Sequence, residues 1–134
     1  MIESCEKIRM TNLDNTSIAE SALRRLDIPY RRACLKDGIM YFCSLPSELT
    51  FDIFMGPDGS MKLWRFVGSA PESEAGMRCE YRRPDHPDTA IGFEVTDEGD
   101  LCLYAKQIVD TDSPLRERRV FRMIAGYSKM ITTG

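Results

Sequence analysis

The chain has 134 residues, of which 43% are hydrophobic and 29% charged, and its net charge is −3. That length suits one domain, and a chain of this size buries roughly two-thirds of its unfolded surface, enough to fold without staples. The composition excludes disorder. No apolar run approaches the ~20 residues of a membrane span, and the mildly acidic total makes no general case for nucleic acid.

Five cysteines occur, Cys5, Cys34, Cys43, Cys79 and Cys102, with no C-x-x-C pair. An odd count without motif spacing reads as reduced thiols rather than a disulfide framework. Glu3, Glu6, Lys7 and Arg9 interrupt any signal-peptide core, so a cytoplasmic location is expected.

Residues 1–16 read as an arm or a short helix, and residues 17–134 as a single domain. Ser17-Ile18-Ala19-Glu20 has capping-box form, in which the serine caps an orphan N–H and Glu20 reaches back. Ile18, Ala22 and Leu26 follow on one helical face, and Pro29 is expected to end the helix. Asp37-Gly38 suits a two-residue type I′ turn pairing Leu35 with Met40 and Ala33 with Phe42. A second hairpin runs from Leu49 to Val67 around Gly56-Pro57-Asp58-Gly59-Ser60. A three-residue loop there pairs Ile53 with Leu63, and a four-residue loop pairs Asp52 with Arg65. The pattern leaves both registers open.

Ser69 to Thr89 gives a poor signal. A short helix could start at Pro71, and Arg82 to Asp88 reads as loop because prolines and aspartates break regular structure. The third hairpin is the clearest. Its loop, Asp97-Glu98-Gly99, places glycine at the left-handed position and pairs Val95 with Leu101, Phe93 with Leu103 and Ile91 with Ala105. One face of that hairpin is wholly apolar, as in an antiparallel sheet covered on one side. The closing helix starts at Ser113-Pro114 with a good N-cap and proline at the first position. Val120, Ile124, Tyr127 and Ile131 form its apolar stripe. Gly126 weakens it and suggests close approach to a strand or partner.

The expected fold is therefore α+β: a mostly antiparallel sheet of about six strands, with N- and C-terminal helices packed on one face.

The stretch Ala90-Ile91-Gly92-Phe93-Glu94-Val95-Thr96-Asp97-Glu98-Gly99-Asp100-Leu101-Cys102-Leu103-Tyr104, with its polar link and amphipathic helix, resembles the C-terminal half of YbjN-like proteins. Leu26-Asp27-Ile28-Pro29-Tyr30 fits the front half. That family is similar in fold to the type III secretion chaperones. The resemblance implies a non-enzymatic protein that binds polypeptide segments or regulates, commonly as a dimer, and it transfers no catalytic residue. The family usually carries a middle helix where this chain has Pro71, Pro84 and Pro87.

Candidate chemistry is sparse. His86, flanked by Asp85 and Asp88, is the one histidine, and a catalytic zinc would need further histidines or cysteines. It reads as an exposed loop residue, and the run around Gly99 lacks the alternating ligands of a calcium loop. No phosphate-cradling or nucleophile-elbow pattern occurs. No metal, cofactor or catalytic residue is expected. From Pro84 to Asp112 there are eight acids against one base, and from Ser113 to the end five bases against one acid. Arg116, Arg118, Arg119 and Arg122 are the strongest cluster, and three of them sit early in the helix, against its dipole. That placement points to an acidic partner, with a solvated helix face as the plain reading.

Phe54, Trp64 and Phe66 are the remaining candidates. If Leu63 faces the helices, Trp64 and Phe66 face away and form a protein-binding patch. In the other register they are core. The functional expectation is a chaperone-like or regulatory module that binds a polypeptide through Phe54, Trp64, Phe66 and the basic helix. A protein partner and a homodimer are expected, and membrane and nucleic acid are disfavoured. The alternatives are a pocket near His86, as in a small ligand-binding domain or enzyme, and an inhibitor whose acidic surface neutralises a toxin.

Overall fold

Alternation of apolar and polar side chains, repeated strand after strand, sets the architecture. The structure, a computed structural model, describes residues 18–57, 59–83, 86–108 and 116–133. A short N-terminal helix, α1, covers residues 18–25 of that range. Seven strands follow: β1 (Tyr30–Leu35), β2 (Gly38–Ser44), β3 (Thr50–Met55), β4 (Ser60–Ser69), β5 (Arg78–Arg83), β6 (His86–Val95) and β7 (Asp100–Ile108). Helix α2 (Arg116–Thr133) closes the described chain. The strands form one antiparallel sheet in the order β1-β2-β3-β4-β7-β6-β5. Two meanders thus meet where β4 pairs with β7.

The seventh strand is the one the sequence hides. Arg78–Arg83 reads as the approach to a proline-broken loop, yet it pairs with β6, and His86 itself opens β6 opposite Arg83. His86 is therefore a strand residue and not a loop residue. The middle helix implied by the resemblance is replaced, among the described residues, by a three-residue 3₁₀ turn at Glu72–Glu74 and by β5.

Both helices lie on one face. Ile39, Tyr41, Phe51, Ile53, Met61 and Leu63 point from the sheet into a core shared with Ala19, Ala22 and Leu23 of α1 and with Val120, Ile124, Tyr127 and Ile131 of α2. The apolar stripe expected on the closing helix is buried throughout. Tyr127 Oη donates to the Leu103 carbonyl at 2.6 Å, which fixes α2 on β7. Gly126 is exposed with open space around it, so it makes no close approach to a strand.

Helix α1 ends at residue 25, four residues before Pro29. Asp27 adopts φ 56°, the Asp27 N–H bonds the Arg24 carbonyl, and the Ile28 N–H bonds that of Leu23. This is a Schellman close, with buried Ile28 and Leu23 as its apolar contact. Ser17 lies outside the described residues, as do the arm at 1–16 and the Ser113-Pro114 cap. Glu20 is occupied elsewhere. Its carboxylate accepts hydrogen bonds from Tyr30 Oη (3.0 Å), Tyr41 Oη (3.2 Å), Arg32 Nη1 (2.9 Å) and Arg24 Nη2 (3.5 Å). One carboxylate thereby ties α1 to β1 and β2.

The hairpins divide instructively. The third has the expected register and loop, with Gly99 at φ 87°. The second takes the three-residue loop, pairing Ile53 with Leu63, and Gly59 at φ 88° repeats the same device. The first differs. Lys36 and Asp37 make the turn, both outside the left-handed region, and Ala33 pairs with Met40. Gly38 belongs to β2, where any side chain would strike the Met55 carbonyl oxygen and the Phe54 ring, so its glycine serves close packing rather than the turn. Ala33, Leu35, Met40 and Phe42 still share a face, but it is the face away from the helices.

Cys34 is disulfide-bonded, which corrects the expectation of reduced thiols throughout. Cys43, Cys79 and Cys102 are free. No helix among the described residues is long and apolar enough to cross a membrane.

Gly92 meets the same constraint as Gly38: a Cβ there would run into the Cys79 carbonyl oxygen and the Glu80 backbone. Gly92→Ala should cost about 1–3 kcal/mol through overpacking. Gly126→Ala, in open space on a helix, should instead stabilise by up to about 1 kcal/mol. Urea unfolding of the two variants measures both signs.

Candidate functional site

With Leu63 fully buried beneath the helices, strand alternation turns Trp64 and Phe66 to the helix-free face. Register then builds a row across that face. Arg31 pairs with Phe42, Phe42 with Asp52, Asp52 with Trp64, Trp64 with Tyr104, Tyr104 with Gly92 and Gly92 with Glu80. Phe54 stands in the next row, its ring lying over Gly38 and half-buried there. Phe66 is 53% exposed and Phe42 40%, and Val67 stands out at the bulge between Phe66 and Gly68.

The two halves of the face differ. On β5, β6 and β7 it is a polar lattice. Lys62 Nζ meets Glu94 at 2.5 Å, and Arg78 meets the other oxygen of that carboxylate at 3.3 Å. Tyr104 is 1% exposed although no helix covers it. Its ring fits beside side-chain-free Gly92, under the Lys62 and Arg78 cations at 5.2 and 5.8 Å, and its hydroxyl donates to Glu80 at 2.7 Å. Burial and that bond push the Tyr104 hydroxyl pKa well above the tyrosine range, and the same bond holds Glu80 below the usual carboxylate range.

On β2, β3 and β4 the face is aromatic and holds one carboxylate. Asp52 lies between Phe42 and Trp64, and burial alone raises its pKa. Among the described residues no cation pairs with it. A hollow of about 390 Å³ opens beside it, lined by Tyr30, Arg31, Phe42, Ser44 and Thr50 among others. Burying part of a charge without a partner costs stability, so this half of the face is not optimised for folding alone.

The structure does not unite the two groups of predicted site residues. Phe54, Trp64 and Phe66 share the helix-free face, while the arginines belong to α2 on the other side of the sheet. Arg116 is buried, with no hydrogen-bond partner for its Nε, so it is no part of a surface patch. Arg118 and Arg122 are exposed and Arg119 is half-buried. No ion pair among the described residues joins them to the acidic segment. The side chain of His86, and with it the proposed cluster with Asp85 and Asp88, lies outside the description.

Sequence reasoning missed Asp52, Phe42 and Tyr104. The third hairpin's register already implied the Gly92–Tyr104 pair. The place of Asp52 between two aromatics required knowing which of two registers the second hairpin takes.

Comparison with protein-family models, with curated proteins and with solved structures yields no match for this chain.

Three outcomes follow from this geometry. Leu63→Ala should lose about 2–5 kcal/mol of stability, as a buried truncation does, whereas Trp64→Ala one residue on should lose less than about 2 kcal/mol. Asp52→Asn should stabilise at neutral pH. The folded-state pKa of Asp52 lies above its unfolded value of 3.8, so the native state binds the proton more tightly and stability falls as pH rises through that window. The gain should vanish below the unfolded value, in melts recorded across the acid range. A thiol reagent should label exposed Cys79 in the native state and reach Cys43, whose pKa burial pushes up to about 12, only on unfolding.

Proposed function

We propose that the chain is a non-enzymatic binding module, chaperone-like or regulatory, which takes up a polypeptide segment on the helix-free face of its sheet. The observation that carries this reading is the aromatic half of that face, with exposed Phe42 and Phe66 and half-buried Trp64 around the unpaired carboxylate of Asp52. Aromatic side chains give large contact area at low entropic cost, and such anchors carry most of the energy in protein interfaces. Asp52 adds a requirement. A segment docking there presents a basic residue to it, which supplies the missing counter-charge and recovers the cost of its desolvation. The resemblance of residues 90–104 to YbjN-like and secretion-chaperone-like proteins supports the same class of function. The exposed Arg118 and Arg122 lie too far round the molecule to share that segment, and they fall outside the proposed surface.

The test is capture of a partner by the purified protein, compared with Phe66→Glu, Trp64→Ala and Asp52→Asn variants that keep the wild-type far-ultraviolet spectrum. One defined polypeptide should be held by the wild type, lost with Phe66→Glu and weakened at least about tenfold with Asp52→Asn. Undiminished capture by all three variants would place the binding surface elsewhere.

A further inference from the structure

We propose that two copies of the chain join edge to edge through β5, in antiparallel register with Tyr81 on the two-fold axis, making one continuous sheet. This interface does not use the Trp64 face, so it stands or fails independently of the binding function above.

Strand β5 ends the sheet, and its outer side is unpaired among the described residues. The Val95 N–H bonds the Met77 carbonyl, which sets the alternation. Residues 77, 79 and 81 bond inward to β6, so Arg78, Glu80 and Arg82 turn their N–H and C=O groups outward. Beside this edge, on the helix side and beyond the reach of the helices, Tyr81, Met77 and Phe93 are 62%, 58% and 46% exposed. They are three of the four most exposed large apolar residues among those described, and they gather at one edge.

Symmetry and charge then select one register. A two-fold axis normal to a sheet keeps each face with itself, so paired residues share a face. Registers with the axis on Arg78, Glu80 or Arg82 set like charges against each other at the axis. Those centred on Cys79 and on Tyr81 set Glu80 against an arginine of the second copy twice, Arg78 and Arg82 respectively, and opposite charges directly opposite support a strand pair where like charges destabilise it. Of these two, the Tyr81 register keeps residues 79–83 of β5 paired with one another, whereas the Cys79 register pairs only 78–80 within the strand. The Tyr81 register also joins outward-facing backbone groups to outward-facing ones, and it brings the two Tyr81 rings together over the apolar patch. The opposite edge offers nothing similar. Strand β1 carries Arg31 and Arg32 and no acid, so a second copy there finds no opposite charge.

Sedimentation of the wild-type chain up to high micromolar concentration should give twice the single-chain mass. Arg82→Glu, which sets acid against acid, should raise the dimer dissociation constant at least about tenfold. Glu80→Arg combined with Arg82→Glu should restore the dimer, although it removes the Tyr104 bond. Tyr81 pairs with itself at a non-hydrogen-bonded position, where Cα atoms lie about 4.5 Å apart and within disulfide reach. In a Cys79→Ser background, Tyr81→Cys should therefore yield a covalent dimer on mild oxidation, and Leu35→Cys at the far edge should not. Melting curves identify variants that fail to fold. A monomer at every concentration overturns the proposal, and so does a dimer indifferent to Arg82→Glu that Tyr81→Cys fails to link.

Discussion

Everything distinctive about this molecule depends on β4 pairing with β7. Without that pairing the sheet would be two separate meanders, each with an additional open edge. The pairing closes a loop of 30 residues between Ser69 and Asp100, an entropic cost that grows only slowly with loop length. In return it sets Leu63 beside Ala105 under the helices and Trp64 beside Tyr104 on the opposite face. The bulge between Phe66 and Gly68 falls on the same seam and turns Phe66 and Val67 outward.

Two helices cover only one side of a seven-stranded sheet, so the other side must be made compatible with water. On β5 to β7 the solution is complete. Glu94 is shared between Lys62 and Arg78, and Glu80 accepts from the Tyr104 hydroxyl and pairs with Arg82 at 3.5 Å. On β2 to β4 it is not. Aromatic rings stand exposed, and Asp52 is partly desolvated with no cation. Native folds tolerate such local costs where a surface has another use, and the contrast between the two halves is what sets the proposed binding face apart. The Glu20 hub underlines the difference, because there a single carboxylate satisfies four donors on the covered side.

The glycines show the same division between local and distant causes. Gly59 and Gly99 answer a local demand, the left-handed residue of a three-residue hairpin loop, and both are legible as turn signals. Gly38 and Gly92 answer a distant one. Each leaves room for a neighbouring strand's backbone, and for the ring of Phe54 or Tyr104. Asp37-Gly38 looked like a turn because the dipeptide pattern carries no information about β3.

By itself the sequence determined the α+β class, the apolar stripe of the closing helix and the full register of the third hairpin. These rest on periodicity and turn chemistry within about 15 residues, where local preference and burial agree. It did not determine the seventh strand, because β5 is charged, lies at an edge and is stabilised by β6 rather than by its own pattern. Nor did it reach the position of Asp52, the burial of Tyr104 and Arg116, or the separation of the arginines from the aromatic face. Those depend on which strands lie side by side. Strand order is set by the summed burial of a whole face, and no single segment carries that information.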